Sequence, residues 1–487
     1  MLGVVKSIFR ATFSRSLDAA GGGRLSKART VRNLNSDILT AATTIQHRAA
    51  YFARNNAHIT AAVNALVTNI VGTGIKPSSQ HPDPQTREFL HALWSRWIDE
   101  CDMDGFGDFY ALQALMVRQM VETGESFARF VTFGPGDGLE LPFQLQMIHP
   151  AQVPLETLSA LVDNRIRGGV EFDAVGRRIA YHVLPARPDD PLAPLAGLWN
   201  PVPIAARDMV HLFNPVEPGQ LRGLSWLAPV LLAVHEVDQL QDAALVRAKL
   251  ANLLCAALVD PEGNAGGLPG DSKGGVLDIG LEPGTIIPLK PGTSLEFFDP
   301  KESEHYGAFI KSHLQAIAAG LGVPYELLTG DLSGVNYSSI RAGLVEFRKR
   351  LEHWQHNIVV YRLCRPVWDR FIRTAVLSGL IDFRAYEADP AAFHRVEWMP
   401  PKSMWVDPLK DVQAEIKAIR AGLKSRTQAV VERGYDVERI DADLAAERER
   451  EKRLGILLDS NPGQTTQAGL TPTLLTDESP APEKTDA

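Results

Sequence analysis

Several stretches of this 487-residue chain hold residue types that carry chemistry in other settings. "HEVDQ" (His235 to Gln239) puts His and Glu on one helical turn, as a zinc-protease helix does. That chemistry needs a second His four residues after the first, and Gln239 stands there. The stretch reads as helix surface. "GLSWL" sets Ser225 where a nucleophile elbow would, but it lacks the second Gly that the turn requires. Ser225 reads as a helix N-cap. Asp99 to Asp108 is acidic enough to suggest calcium. A calcium loop wants Gly at its sixth position and Glu at its twelfth, whereas Gly falls fourth counted from Asp102. A solvated turn with Asp108 capping the next helix is the expected reading.

A longer stretch, "AIAAGLGVPYELLTGDLSGVNYSSIRA" (Ala316 to Ala342), joins two helix-like segments through Gly, Thr, Ser and Asn. A phosphate-binding loop needs Lys followed by Ser or Thr at the helix start. No Lys lies between Lys311 and Lys349. "GLGVPY" has no preceding strand, so the dinucleotide fingerprint is missing too. From the residues alone this is a helix–helix connector. The expectation is a chain with no catalytic residue, no cofactor and no metal site.

The elements around these stretches are mostly helical. "SDILTAATTIQHRAAYFARNNAHITAAVNALVTNIVGTG" predicts two helices meeting near Asn55–Asn56 and ending at Gly72. A third helix is expected over about 85–100, with Phe89, Leu93, Trp94 and Trp97 on one side, and a fourth over about 108–123. "PFQLQMI" alternates like a half-buried strand, and "GVEFDAVGRRIAYHV" predicts a hairpin around Asp173–Arg177. A long helix is expected from Ser225 to about Leu258, reaching roughly 50 Å at about 1.5 Å per residue. A second starts at Asp299, Pro300 and Glu302, which form a capping pattern. Its stripe is Tyr306, Ile310, Leu314, Ile317 and Leu321, and Gly320, Gly322 and Pro324 stop it. A third begins near Ser338 with a heptad-like seam, Ile340, Leu344, Phe347, Leu351, Trp354, Ile358 and Tyr361, which wants a partner helix. Pro366 is expected to kink it. Between the first two long helices lies a Gly- and Pro-rich excursion with short β-like pieces near Ile286 and Leu295. Three further helical stretches follow Trp405.

Composition sets the bounds. Hydrophobic residues make up 45%, charged residues 22%, and the net charge is −8, so the chain as a whole is not built to coat nucleic acid. Cys101, Cys255 and Cys364 are odd in number and far apart, which suits free thiols and gives no paired zinc spacing. The best apolar run, Leu250 to Val259, is far below the about 20 residues of a membrane span. Residues 1–34 read as a basic flexible arm, with a transit peptide as the alternative. The chain from Gly455 onward reads as a disordered acidic tail.

Five stretches, in this order, resemble the lambda-type tailed-phage portal proteins: "RNNAHITAAVNALVTNIVGTGIKP", "RIRGGVEFDAVGRRIAYHV", "VHLFNPVEPGQLRGLSWLAPVL", "AIAAGLGVPYELLTGDLSGVNYSSIRAGLVEFRK" and "WVDPLKDVQAEIKAIRAGLKSRTQAVVERGYD". Together they cover roughly residues 40–450, and their combination is specific where each alone is modest.

The resemblance implies an α+β, mainly helical portal fold that assembles as a ring, usually of twelve subunits. Its implied parts are a wing over 35–222, stem helix 1 over 223–258, a clip over 259–299 and stem helix 2 over 300–328. A tunnel loop follows over 329–338, then the kinked helix with its following segment over 339–400 and a helical crown over 401–455. The basic arm and the tail, residues 456–487, lie outside it. The tunnel loop is Thr329, Gly330, Asp331, Leu332, Ser333, Gly334, Val335, Asn336, Tyr337 and Ser338. Clip residues Asn264, Gly267, Pro269, Asp271 and Lys273 are expected to dock the motor and connector.

The implied partners are further copies of the chain, double-stranded DNA in the channel, the terminase large subunit, major capsid and scaffold proteins, and head-completion proteins, with no membrane. The implied location is the portal vertex of the virion, with the host cytoplasm during assembly. A scaffold of a defective prophage or gene-transfer particle is the alternative. A nuclease or packaging ATPase, and an adaptor without a DNA role, are the competing classes. The small, nearly uncharged loop suits a conduit in which DNA slides, because Lys and Arg contacts to phosphate supply most non-specific affinity.

Overall fold

The computed structural model describes residues 33–134, 136–155, 165–191, 200–253, 256–259, 271–273, 276–278, 294–297, 306–334, 337–401, 408–431, 433, 435 and 437–456. The chain opens with helices α1 (Leu34–Asn55) and α2 (Ala57–Ile70), strand β1 (Lys76–Ser79), and helices α3 (Pro84–Glu100) and α4 (Phe109–Thr123). Strands β2 (Glu125–Thr132), β3 (Phe143–Ile148), β4 (Ile166–Arg167), β5 (Val170–Phe172), β6 (Arg178–Val183), β7 (Val202–Ala205) and β8 (Met209–Phe213) follow. Helix α5 (Leu231–Leu253) leads into β9 (Ala256–Val259), β10 (Asp271–Lys273), β11 (Val276–Asp278) and β12 (Ser294–Phe297). Next come α6 (Tyr306–Leu321), α7 (Tyr325–Thr329) and α8 (Tyr337–Trp354), a π-helical segment (Gln355–Cys364), α9 (Arg365–Leu377), α10 (Phe383–Ala388) and α11 (Pro390–His394). Strand β13 (Val396–Met399) and helices α12 (Pro408–Arg420), α13 (Arg426–Val431) and α14 (Val437–Leu454) close the order.

These residues divide into two compact units. One draws on the described residues within 1–63, 118–130 and 147–330, the other on those within 64–117, 131–146 and 331–487. In the first unit a four-stranded antiparallel sheet runs β4-β5-β6-β7. The expected hairpin is its centre. Asp173 accepts the backbone N–H of Val175 and Arg177 at 3.0 and 2.8 Å, and Gly176 supplies a φ of +85°. Phe127, Ile148, Val153, Val170, Phe172, Tyr181, Val183 and Met209 form the core.

Helix α5 starts at Leu231, later than expected. The turn Ser225–Val230 precedes it, and Ser225 Oγ accepts the Leu227 N–H at 3.2 Å within that turn. The helix also stops at Leu253, because residues 256–259 leave it to pair as β9 with β12. The excursion therefore opens and closes on a two-strand ladder, with β10 and β11 as an inner hairpin. Leu295 lies in β12, whereas Ile286 and the cap residues Asp299, Pro300 and Glu302 lie outside the described residues.

In the second unit Trp94 packs within 5.0 to 6.3 Å of Trp97, Phe109, Trp368, Phe371 and Trp398. Trp97 stacks on Phe143 at 4.7 Å and donates Nε1–H to its carbonyl at 3.1 Å. Trp94 and Trp368 also donate, to the Tyr110 hydroxyl and the Phe393 carbonyl, whereas the buried indole N–H of Trp398 has no partner among the described residues. Helix α3 buries Leu90, Leu93, Trp94 and Trp97; Phe89, expected on that face, is exposed.

The expected kink at Pro366 takes a definite form. Pro366 sits in the first turn of α9, and the ten residues before Arg365 are wound as a π-helix, with Arg365 N–H bonded to the Val360 carbonyl. Pro has no N–H and its ring crowds the carbonyl four residues back; the wider winding removes that clash. The change of period also breaks the seam. Phe347, Leu351 and Ile358 are buried within the chain, while Tyr361 is 61% exposed. The seam is therefore not one open face for a neighbour, which corrects the expectation of a continuous heptad stripe.

Candidate functional site

The loop after α7 is built locally. Thr329 Oγ1 donates to the Tyr325 carbonyl at 2.9 Å, and Gly330 ends the helix at φ +71° with its N–H on Glu326. Asp331 accepts both the N–H and the O–H of Ser333, at 3.0 and 2.6 Å. The single charge of the loop is thus engaged in its own turn. Leu332, Ser333 and Gly334 are exposed. Val335 and Asn336 lie outside the described residues, and Tyr337 and Ser338 already belong to α8. Among the clip residues, Asn264, Gly267 and Pro269 lie outside the described residues, and Asp271 and Lys273 begin and end β10.

The acidic stretch before α4 caps that helix as expected, but its turn is not wholly solvated, because Asp102 is buried. Asp108 caps the helix by accepting Ala111 N–H at 2.7 Å. Among the described residues no cluster of His, Cys, Asp and Glu could hold a metal ion. No helix among them is long and apolar enough to cross a membrane.

Sequence reasoning missed a buried ion cluster at the foot of α5. Glu125 and Arg222 are both fully enclosed, with side-chain exposures of 0% and 1%. Arg222 reaches both carboxylate oxygens of Glu125, at 2.5 to 2.9 Å, and donates through Nη1 to the Val153 and Gly168 carbonyls at 2.9 and 2.7 Å. Glu125 also accepts the Gly223 N–H at 2.8 Å and lies 3.1 Å from His211 Nε2. Arg178 Nη1 stands 2.9 Å from His211 Nδ1. An arginine can only donate, so Nδ1 is the acceptor and Nε2 carries the proton that points at Glu125. The imidazole is neutral, a link between one cation and one anion.

The electrostatics agree with this chain. Burial alone would raise the Glu125 carboxyl, but the Arg222 charge and the bonds from His211 and Arg222 hold it at about 2. Burial pushes His211 down to about 4, and the charges of Arg178 and Arg222 add to this against the pull of Glu125. The backbones beside the cluster touch: a Cβ on Gly124 would meet the Leu224 carbonyl carbon at 2.3 Å, and one on Gly223 would meet the Gly124 carbonyl. Gly is required at both positions for that approach. The sequence signal was a Glu and a His at inward positions of apolar strands, where a charge survives only with a partner.

A pH dependence follows. His149 is also held down to about 4, by burial first and then by Arg187. Unfolded histidines take up protons below about 6.5, while these two refuse them in the fold until about 4. Stability is therefore full above pH 6.5 and falls as pH drops towards 4, by about 1.4 kcal/mol per pH unit for His211, and by less for half-buried His149. Urea unfolding from pH 7 to 4 should show this slope, reduced in a His149→Gln/His211→Gln variant. An equal slope in both would contradict the assignment. Glu125 contributes above pH 4.5, and that part is lost only as pH falls towards 2.

Residues 22–355 match the family described as phage portal protein, lambda family. The "Probable portal protein" of Halomonas phage phiHAP-1 is 27% identical over 471 residues, spanning 91% of this chain and 88% of the relative. "Portal protein B" of Escherichia phage lambda is 24% identical, with 84% of each chain covered. Among solved structures, a chain in the "Neck of native GTA particle computed with C12 symmetry" aligns over 81% of this chain and 94% of its own, at 14% identity and a TM-score of 0.46.

Proposed function

The chain belongs to the lambda family of phage portal proteins, and from that premise we propose that its copies close into a ring at one capsid vertex, through which double-stranded DNA is packaged and later ejected. The family match over residues 22–355 carries this reading. The surface of α5 supports it. Leu231, Val234 and Val237 are buried, but no side chain described from Asp238 to Lys249 is, and Leu245 and Val246 are each 53% exposed. On α6, Leu314, Ile317 and Leu321 are buried, whereas Phe309 is 52% exposed. Apolar residues left bare on two adjacent helices mark faces for neighbouring subunits. In this reading α5 and α6 are the stem, the ladder β9–β12 bounds the clip, residues 329–338 are the tunnel loop and α12–α14 are the crown. Native mass spectrometry at micromolar concentration should give a closed oligomer, with twelve copies expected. A strictly monomeric species at physiological salt would contradict the proposal.

The clip is proposed as the docking site for the terminase motor and then the head-completion proteins, because its sequence is a Gly- and Pro-rich excursion lying between the two stem helices along the chain. Excising Asn264 to Gly274 should leave oligomers intact and abolish terminase capture in pull-down. Parental capture by the excised form would refute the assignment. The reading assigns the protein a structural role in the virion, with no chemistry of its own.

A further inference from the structure

Phe106 is the most exposed large apolar side chain among the described residues, at 94%. It does not sit on a loose tip. The carboxylate of Asp102 accepts the backbone N–H of Asp104, Phe106 and Gly107 at 3.1, 2.9 and 3.2 Å. The base of the turn is tied by Met103 N–H to the Leu145 carbonyl at 3.0 Å and by Leu145 N–H to the Cys101 carbonyl at 2.7 Å. Gly105 turns the chain at φ +70°. The phenyl ring is thus held out on a preformed turn, with exposed Asp104 beside it. An aromatic whose backbone is already ordered loses little entropy on docking, which is what an interface anchor requires.

A groove of opposite character runs along α1, with a cavity of about 630 Å³. Tyr51, Pro150, Pro154, Leu155 and Pro188 supply apolar walls. Arg54 on its lining is exposed, and no carboxylate of the described residues pairs with it. Gln46, also in the lining, has a buried amide Nε2 with no acceptor. Asp189, the carboxylate on this lining, is taken up by Arg187 at 2.6 Å, which leaves Arg54 as the cation the groove offers. A space of this size admits an aromatic side chain with its flanking residue.

We propose that the turn carrying Asp104 and Phe106 of one copy docks into the α1 groove of a second copy, the phenyl ring between Tyr51 and Pro154 and the Asp104 carboxylate on Arg54. The knob and the groove are different surfaces, so the contact is head-to-tail, and repetition by a rotation that closes gives a ring. This rests on the ring reading and names one contact that builds it.

The test uses the full chain in sedimentation velocity and native mass spectrometry. Parent protein that forms no ring overturns the ring reading and this contact with it. Given parent rings, Phe106→Ser, Asp104→Arg and Arg54→Asp should each raise the half-assembly concentration by about tenfold or more. Melting of the unassembled protein, measured below the half-assembly concentration, should be unchanged, because all three side chains are exposed. Asp104→Arg combined with Arg54→Asp should restore assembly to within about threefold of the parent, since the pair is re-formed with its sign reversed. Single variants that assemble like the parent would overturn the contact, and so would a double variant no better than Arg54→Asp alone. Deletion of residues 457–487 should leave assembly at the parental level. If it reproduces the Arg54→Asp defect, the groove belongs to the tail and the proposal fails.

Discussion

Arg222→Met will destabilise the protein by about 3 to 5 kcal/mol, the usual cost of stranding one member of a fully buried ion pair. Methionine fills much of the same volume, so the loss is mainly electrostatic. Glu125 would keep its bonds from Gly223 and His211 but lose its counter-charge. The Val153 and Gly168 carbonyls would also lose their donor. The expected fall in melting temperature is on the order of 10 °C. Adding Glu125→Gln to Arg222→Met should recover part of the loss, because the unpaired charge disappears. If Arg222→Met melts with the parent, the cluster does not hold the foot of α5 as described.

The elements of this chain were readable where one local rule dominated. Helices α1 to α4 follow from apolar period and caps, and the β5–β6 hairpin from Asp173 and Gly176 at its turn. Reading failed where long-range pairing decided. Residues 256–259 continue an apolar helical run, yet they pair with a strand more than thirty residues away, which no local pattern announces. The seam after Trp354 failed because a 3.5-residue count assumes α winding, and Pro366 changes the winding before it. Phe89 and Leu90 stand about 100° apart on α3, and both keep helical spacing to Leu93 and Trp97, so the pattern alone does not choose between them. Each compact unit is assembled from three separate stretches of sequence, so their division cannot be read along the chain. The buried cluster joins Glu125, His211 and Arg222 across almost a hundred residues. The tunnel loop was placed by resemblance, since its residues alone describe only a connector.

Leu332→Lys combined with Ser333→Lys will slow or stall DNA packaging while leaving assembly intact. Both positions are exposed, and the Ser333 hydroxyl bonds within its own turn, where the backbone N–H to Asp331 is kept in the variant. The parental loop presents small groups and one carboxylate already engaged by Ser333. In a ring of twelve the double variant brings about 24 cations to the channel, each able to displace a counterion from passing phosphate. Sliding then works against repeated attraction, and packaging should slow several-fold at low salt and recover in part as salt rises. A Leu332→Gln/Ser333→Gln control should package at the parental rate. Full-length packaging by the double-Lys form at the parental rate, at every salt concentration, would remove the loop from the DNA path.

The central claim is a closed conduit for DNA with this loop on its wall. Cryo-electron microscopy of the purified full-length protein tests it most directly. The account predicts a closed ring with an open central channel and residues 330–334 at its narrowest point. A monomer, an open arc, or a ring with that loop on its outer surface would contradict it.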